Sequence, residues 1–109
     1  MSKPDKLQGA LELLVLKILR RGPQHGFAIS TFIRHSSEDI LRVEAGSLYP
    51  ALHRMTEAGL LKAAWRTSDT GRRARYYELT PKGRRTLTTS ERKWHMISDA
   101  VAKVLSASS

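Results

Sequence analysis

The chain has 109 residues, 40% of them apolar, and sets nineteen Lys and Arg against ten Asp and Glu for a net charge of +9. That length holds one domain, or one small domain plus a helical extension, and the charge points to a polyanionic partner. The absence of cysteine excludes a disulfide framework and a thiolate metal site or nucleophile, and charges interrupt every apolar run before the ~20 residues that a membrane span needs.

Met1–Lys6 is polar and expected to fray. Leu7–Arg21 reads as a helix, because Leu7, Leu11, Leu14, Val15 and Ile18 recur at helical spacing. Leu13, Leu16 and Leu19 widen its apolar surface, so a second side must pack against a late helix or another subunit. This segment contains Glu12 and Lys17 and leads into Arg20-Arg21 without a small-residue cleavage site, unlike a signal peptide. A cytoplasmic location is the expectation. Gly22-Pro23 stops the helix.

A second helix is predicted from about Gln24 to His35, with Phe27, Ile29, Phe32 and Ile33 available for burial. Gly26 within it implies a close contact with another helix. Ser36–Asp39 is a polar break, and Ile40–Val43 reads as a very short strand.

The chain is organised around Gly46–Leu61, GSLYPALHRMTEAGLL. Ser47 is the expected N-cap of a third helix, and Leu48, Leu52 and Met55 stack on one of its faces. Pro50 is expected to fall in the first turn, where an amide is not needed. Gly59 ends the helix. The other face presents Tyr49, Pro50, His53, Arg54 and Glu57. Two helices, a connector and a capped third helix make a helix-turn-helix.

Leu60–Thr67 and Arg73–Leu79 alternate as strands around the turn Ser68–Arg72, forming a β-hairpin, or wing. Counting by twos from Leu79 puts Tyr77 on the core side and Tyr76 on the other. Thr80-Pro81 then starts a last helix that runs to about Leu105. Its Leu87, Trp94, Ile97, Val101 and Val104 keep a near-heptad rhythm, the pattern of a helix lying along a partner helix. The fold class is therefore mainly α with a small β-hairpin: a winged helix-turn-helix over residues 1–79 and a dimerisation helix with a short tail over 80–109.

Between Leu60 and Arg85, Lys62, Arg66, Arg72, Arg73, Arg75, Lys82, Arg84 and Arg85 stand against Asp69 and Glu78. Six of the nine net charges thus lie in about a quarter of the chain. Lys82, Arg84 and Arg85 read as solvated charge. Arg72, Arg73 and Arg75, at the wing turn, suit bidentate phosphate contact or a narrow minor groove.

LELLVLKIL, GPQHGFAI, VEAGSLYPALHRM, EAGLL and GRRARYYELTPKG, with a closing tryptophan-bearing helix, resemble the PadR family of bacterial transcriptional regulators from about Leu7 to Val104. The short C-terminal part resembles the compact branch, with one dimerisation helix. The resemblance implies a homodimeric repressor that binds an inverted-repeat operator in double-stranded DNA. It implies recognition through Ser47, Tyr49, Pro50, His53 and Arg54, with Arg72, Arg73 and Arg75 on the wing. Phe27 stands where many members have tyrosine.

Leu11, Leu87, Trp94, Ile97, Val101 and Val104 are the candidate dimer-interface residues. Paired Trp94 rings at a dimer axis would also form a pocket for a small aromatic effector; plain burial is the competing reading. His25, His35, His53 and His95 are scattered without ligand spacing, so neither a metal nor another cofactor is expected. No Ser/His/Asp arrangement, carboxylate pair or glycine-rich phosphate loop marks an enzyme. The competing functions are an aromatic-ligand sensor with weak DNA binding, and a winged helix used for protein–protein contact. The second predicts an apolar third-helix surface, which the sequence lacks.

Overall fold

Seven elements follow one another in the computed structural model, which describes residues 6–108, with side chains from residue 10 onward. They are α1 (Lys6–Leu19), β1 (Gln24–His25), α2 (Gly26–Ser36), α3 (Ala45–Glu57), β2 (Leu61–Thr67), β3 (Arg73–Leu79) and α4 (Pro81–Ala107). Met1–Asp5, the Leu7 side chain and Ser109 lie outside the described residues. No helix among the described residues is long and apolar enough to cross a membrane.

The helical periodicities hold, and α4 continues two residues past the expected end. α1 stops at Leu19, leaving Arg20 and Arg21 in the turn before Gly22. Its inner face contributes Leu11, Val15, Leu16, Ile18 and Leu19 to the core, with Ile29 and Ile33 from α2 and Leu48, Ala51, Leu52 and Met55 from α3. Leu61, Tyr77 and Leu79 close the core from the sheet, and Leu87 enters from α4. Phe27 and Phe32 are not in it: they are 72% and 40% exposed, because α2 turns only its Ile29–Ile33 stripe inward.

Two elements differ from the sequence reading. Gln24-His25 is a strand, paired antiparallel to β3 with Gln24 opposite Tyr77 and His25 opposite Tyr76, so the sheet has the order β1-β3-β2. Ile40–Val43 is irregular backbone. The open edge of β3 is already taken by β1, and Leu41 and Val43 only lean against the core. Before this connector, Glu38 and Asp39 adopt positive φ (54° and 70°). Asp39 offsets that unfavourable backbone by pairing with both Arg34 and Arg42.

The wing strands match expectation within one residue. The five-residue turn is closed by Ser68 N–H donating to Arg72 O (2.7 Å) and Gly71 N–H donating to Ser68 O (2.9 Å). Tyr77 is buried; Tyr76, on the other face, packs edge-on against His25 at 5.2 Å.

α3 ends in a Schellman arrangement. Gly59, at φ 80°, donates to Thr56 O, and Leu60 N–H donates to Met55 O. α4 begins on that same corner. The Thr80 side chain accepts from Gly83 N–H at 3.0 Å and donates to Gly59 O at 2.6 Å, while the Lys82 ammonium donates to Ala58 O at 2.8 Å. Gly83 is buried so tightly that a Cβ there would lie 2.2 Å from Leu60 O. Farther along, Lys17 of α1 pairs with Glu91 of α4 at 3.0 Å, and this hydrogen-bonded ammonium holds the Glu91 carboxyl below the usual carboxylate range.

The corner and the ion pair are separately testable. Gly83→Ala should destabilise the fold by about 3 kcal/mol, since the added methyl meets backbone that cannot swing aside. A thermal unfolding midpoint equal to wild type would overturn the close-approach assignment. Glu91's lowered folded pKa means that its stabilisation is present above the unfolded carboxylate pKa and disappears as pH falls through the folded one. Glu91→Gln should therefore melt lower than wild type at neutral pH, and the gap should close as the solution is acidified through the carboxylate range and below it. A gap independent of pH would refute it.

Candidate nucleic-acid interface

α3 divides its residues as the apolar spacing requires. Leu48, Ala51, Leu52 and Met55 are buried, while Ser47, Tyr49, Pro50, His53 and Arg54 all remain exposed. The helix begins three residues earlier than the Ser47 signal suggests. Glu44 holds the N-cap position without a side-chain cap bond, and Ser47 sits inside the first turn, its amide donating to Glu44 O at 2.9 Å. Pro50 consequently falls in the second turn and cannot donate to the carbonyl of Gly46. Both Gly46 and Pro50 are exposed, so water can satisfy that carbonyl.

Tyr49 is 47% exposed, and the other side of its ring fills the space over Gly26, where a Cβ would come within 2.6 Å of the hydroxyl oxygen. This is the close helix–helix contact implied by Gly26, made at the first residue of α2. One tyrosine thus locks α2 to α3 and still reaches the surface. His53 faces Glu57 at 3.6 Å along the helix, and Arg54 reaches Glu12 of α1 at 3.5 Å. Arg54 therefore also braces α3 against α1.

The wing carries cations on both faces, each set on an aromatic ring. The register pairs Trp65 with Arg75 and Thr67 with Arg73, so all four side chains share one face. The Arg73 and Arg75 guanidinium carbons lie 5.4 and 5.8 Å from the Trp65 ring centroid. On the opposite face Arg66 lies 5.2 Å from the Tyr76 ring, which His25 abuts from the sheet edge. Arg72 is exposed at the turn.

The residue-type reading missed Trp65, Arg66 and His25. A signal for the first two was present: counting outward from the centre of the Ser68–Arg72 turn pairs residue 65 with residue 75 and residue 66 with residue 74. His25 left no comparable trace, because its neighbour Tyr76 is distant in sequence. Its Nδ1 accepts from Ala28 N–H at 3.1 Å, so it is also the cap of α2.

The candidate interface residues separate into two groups. Leu11 and Leu87 are 2% and 4% exposed within the single chain, which corrects their assignment to a dimer surface: their apolar area is already used by the fold. Trp94, Ile97, Val101 and Val104, with Leu105, are at least half exposed. The first four follow one another on α4 at spacings of three and four, and Ile97 to Leu105 form an open apolar seam of about 330 Å³. Leu13 of α1 meets Trp94 and Ile97 in a smaller groove of about 190 Å³. Among the described residues no group of three His, Cys, Asp or Glu side chains could hold a metal ion.

This architecture recurs in known proteins. Residues 15–89 match the family model described as the transcriptional regulator PadR-like family. The chain is 49% identical over 51 residues, 47% of each chain, to the transcriptional regulator Rv3488 of Mycobacterium tuberculosis. It superposes on a PadR-like transcriptional regulator of Bacillus cereus with a TM-score of 0.81 at 30% identity, covering 94% of this chain and 97% of that one. A PadR family transcriptional regulator of Eggerthella lenta gives a TM-score of 0.77 at 34% identity, with 92% and 86% covered. With a family model spanning most of its length, an outward polar third helix and an arginine-bearing wing, the chain belongs to the PadR-like family and is a DNA-binding transcriptional regulator, not an enzyme.

Proposed function

We propose that this regulator acts in the cytoplasm as a homodimeric repressor, joined through α4 and bound to an inverted-repeat operator. The observation that carries the reading is the seam on α4. One apolar stripe begins in the core at Leu87 and continues, exposed, through Trp94, Ile97, Val101 and Val104. A seam of that spacing fits a second copy of itself about a two-fold axis. The same axis relates two α3 helices, which would enter successive major grooves about 34 Å apart.

In that arrangement Ser47, Tyr49, Pro50 and His53 face the groove from the exposed side of α3, and Arg72, Arg73 and Arg75 approach the flanking backbone or minor groove. Arg54, tied to Glu12, would contact phosphate rather than a base. The first turn of α3, whose N-cap Glu44 makes no side-chain cap bond, supports a phosphate contact near Ser47 and Tyr49, since residues 44–47 at the positive end of the helix are exposed. Phosphate contacts supply affinity that falls with salt, and the α3 side chains supply choice of sequence. Occupying an operator that overlaps a promoter excludes polymerase, so repression needs no further surface.

A second reading concerns an effector. The groove of Leu13, Ser90, Lys93, Trp94 and Ile97 is half of a site that a second copy would complete, with a Trp94 from each chain. A flat aromatic molecule there would alter the angle between the α4 helices and thereby the spacing of the α3 pair.

Fluorescence anisotropy on the protein's own upstream promoter DNA and on random duplex, at two salt concentrations, tests the operator reading. A preference of about a hundredfold or more at physiological salt is expected; equal binding that vanishes with salt would defeat specific operator recognition. Dimerisation is tested by sedimentation at low micromolar concentration. Trp94→Ala and Val101→Glu should shift the wild-type dimer towards monomer without lowering its helix content, and an unchanged profile for both would exclude the α4 seam as the interface.

A further inference from the structure

The wing contact proposed above leaves one exposed residue unaccounted for. Trp65 is 55% exposed on β2, outside the core cluster, so folding does not explain a side chain this large and apolar at that position. The hairpin register places it directly opposite Arg75 and diagonal to Arg73, and both guanidinium groups lie over its ring. Two arginines spaced two apart on one strand carry like charges on long, freely rotating side chains, and in isolation they would spread through many rotamers. The negative face of the indole gives each of them a fixed resting surface.

We propose that Trp65 is the positioning residue of the wing: it stacks Arg73 and Arg75 into a preorganised pair of phosphate-binding groups. The chemistry suits the task. A guanidinium group lying on an aromatic ring uses its planar face for the contact and leaves its N–H edge free to donate to phosphate oxygens. Holding two such groups before the DNA arrives removes ordering that binding would otherwise impose. The pair lies on the sheet face that, nearer the base, carries Leu61, Tyr77 and Leu79 into the core beneath α1 and α3. Arg66 is on the other face, over Tyr76, and Arg72 is in the turn, so neither depends on Trp65.

The test measures binding to a labelled random duplex, which requires no knowledge of the operator. Wild type, Trp65→Ala, Trp65→Phe, the double variant Arg73→Ala/Arg75→Ala and the corresponding triple variant are compared across salt concentration. Trp65→Ala should weaken binding about tenfold with its salt slope unchanged, because every cation is retained. Trp65→Phe should recover most of the loss. In the Arg73→Ala/Arg75→Ala background, removing Trp65 should change nothing further, a coupling that general loosening of the hairpin would not produce. Independently of DNA, the Arg73 and Arg75 Nε–H resonances should be ring-current shifted in wild type and lose that shift in Trp65→Ala.

The inference is overturned if Trp65→Ala binds as wild type does, or if it loses as much affinity without the two arginines as with them. If Arg73→Ala/Arg75→Ala binds as tightly as wild type, the wing contact itself falls, and the role of Trp65 falls with it. Weakening by the arginine substitutions together with a neutral Trp65→Ala would remove the tryptophan's role alone.

Discussion

The corner where α3 ends and α4 begins sets the geometry of everything else. Gly59 reverses the chain after α3, and the carbonyls freed there are taken by α4: Ala58 O by the Lys82 ammonium, Gly59 O by the Thr80 hydroxyl and Leu60 O by the Thr80 amide. Gly83 then brings the α4 backbone against Leu60 more closely than any side chain would allow. Because polar satisfaction and steric closeness converge on three residues, α4 cannot tilt without breaking the end of α3. The wing lies between these helices in sequence and shares the same anchor, since Leu61 and Leu79 pair at its base. The end of α3, the base of the wing and the start of α4 therefore meet at one hydrogen-bonded corner.

A second constraint acts at the other end of α3. The Tyr49 ring occupies the space that Gly26 leaves open, so the two helices of the helix-turn-helix approach one another through a single aromatic side chain. Asp39, held between Arg34 and Arg42, keeps the connector in a backbone conformation that its residues do not favour on their own. Arg54 to Glu12 and Lys17 to Glu91 tie the surface of α1 to α3 and α4. These exposed pairs each contribute little stability. Their value lies in orientation, because they fix the rotation of helices whose separation the core already determines.

Function is divided along the chain by the same economy of surface. A protein of this size cannot bury every apolar residue. On α4 one stripe does two things: Leu87 completes the core, and one heptad later Trp94 opens a seam that stays exposed. On the wing, apolar surface reappears as Trp65 and Tyr76, each beneath arginine.

Much of this was legible in the residues. Periodicity located α1, α3 and α4, alternation located β2 and β3, and Thr80-Pro81 and Gly59 marked their boundaries, because these signals depend on contacts within a few residues. The outward set on α3 and the wing arginines followed from the same counting, and the motif strings named the family. What failed depended on partners distant in sequence. Ser47 has the chemistry of an N-cap, but packing of Leu48 and Ala51 carries the helix back to Ala45, which also moves Pro50 into the second turn. Gln24-His25 became a strand, and Ile40–Val43 did not, because the edge of β3 accepts only one neighbour there. Leu87 looks like a seam residue in the heptad count of the last helix, yet it is buried with Leu11 in the core of one chain. Local pattern by itself determined which residues turn inward and where elements end. Tertiary structure alone decided which inward faces meet one another, since burial is a property of a pair of surfaces and a periodic sequence describes only one of them.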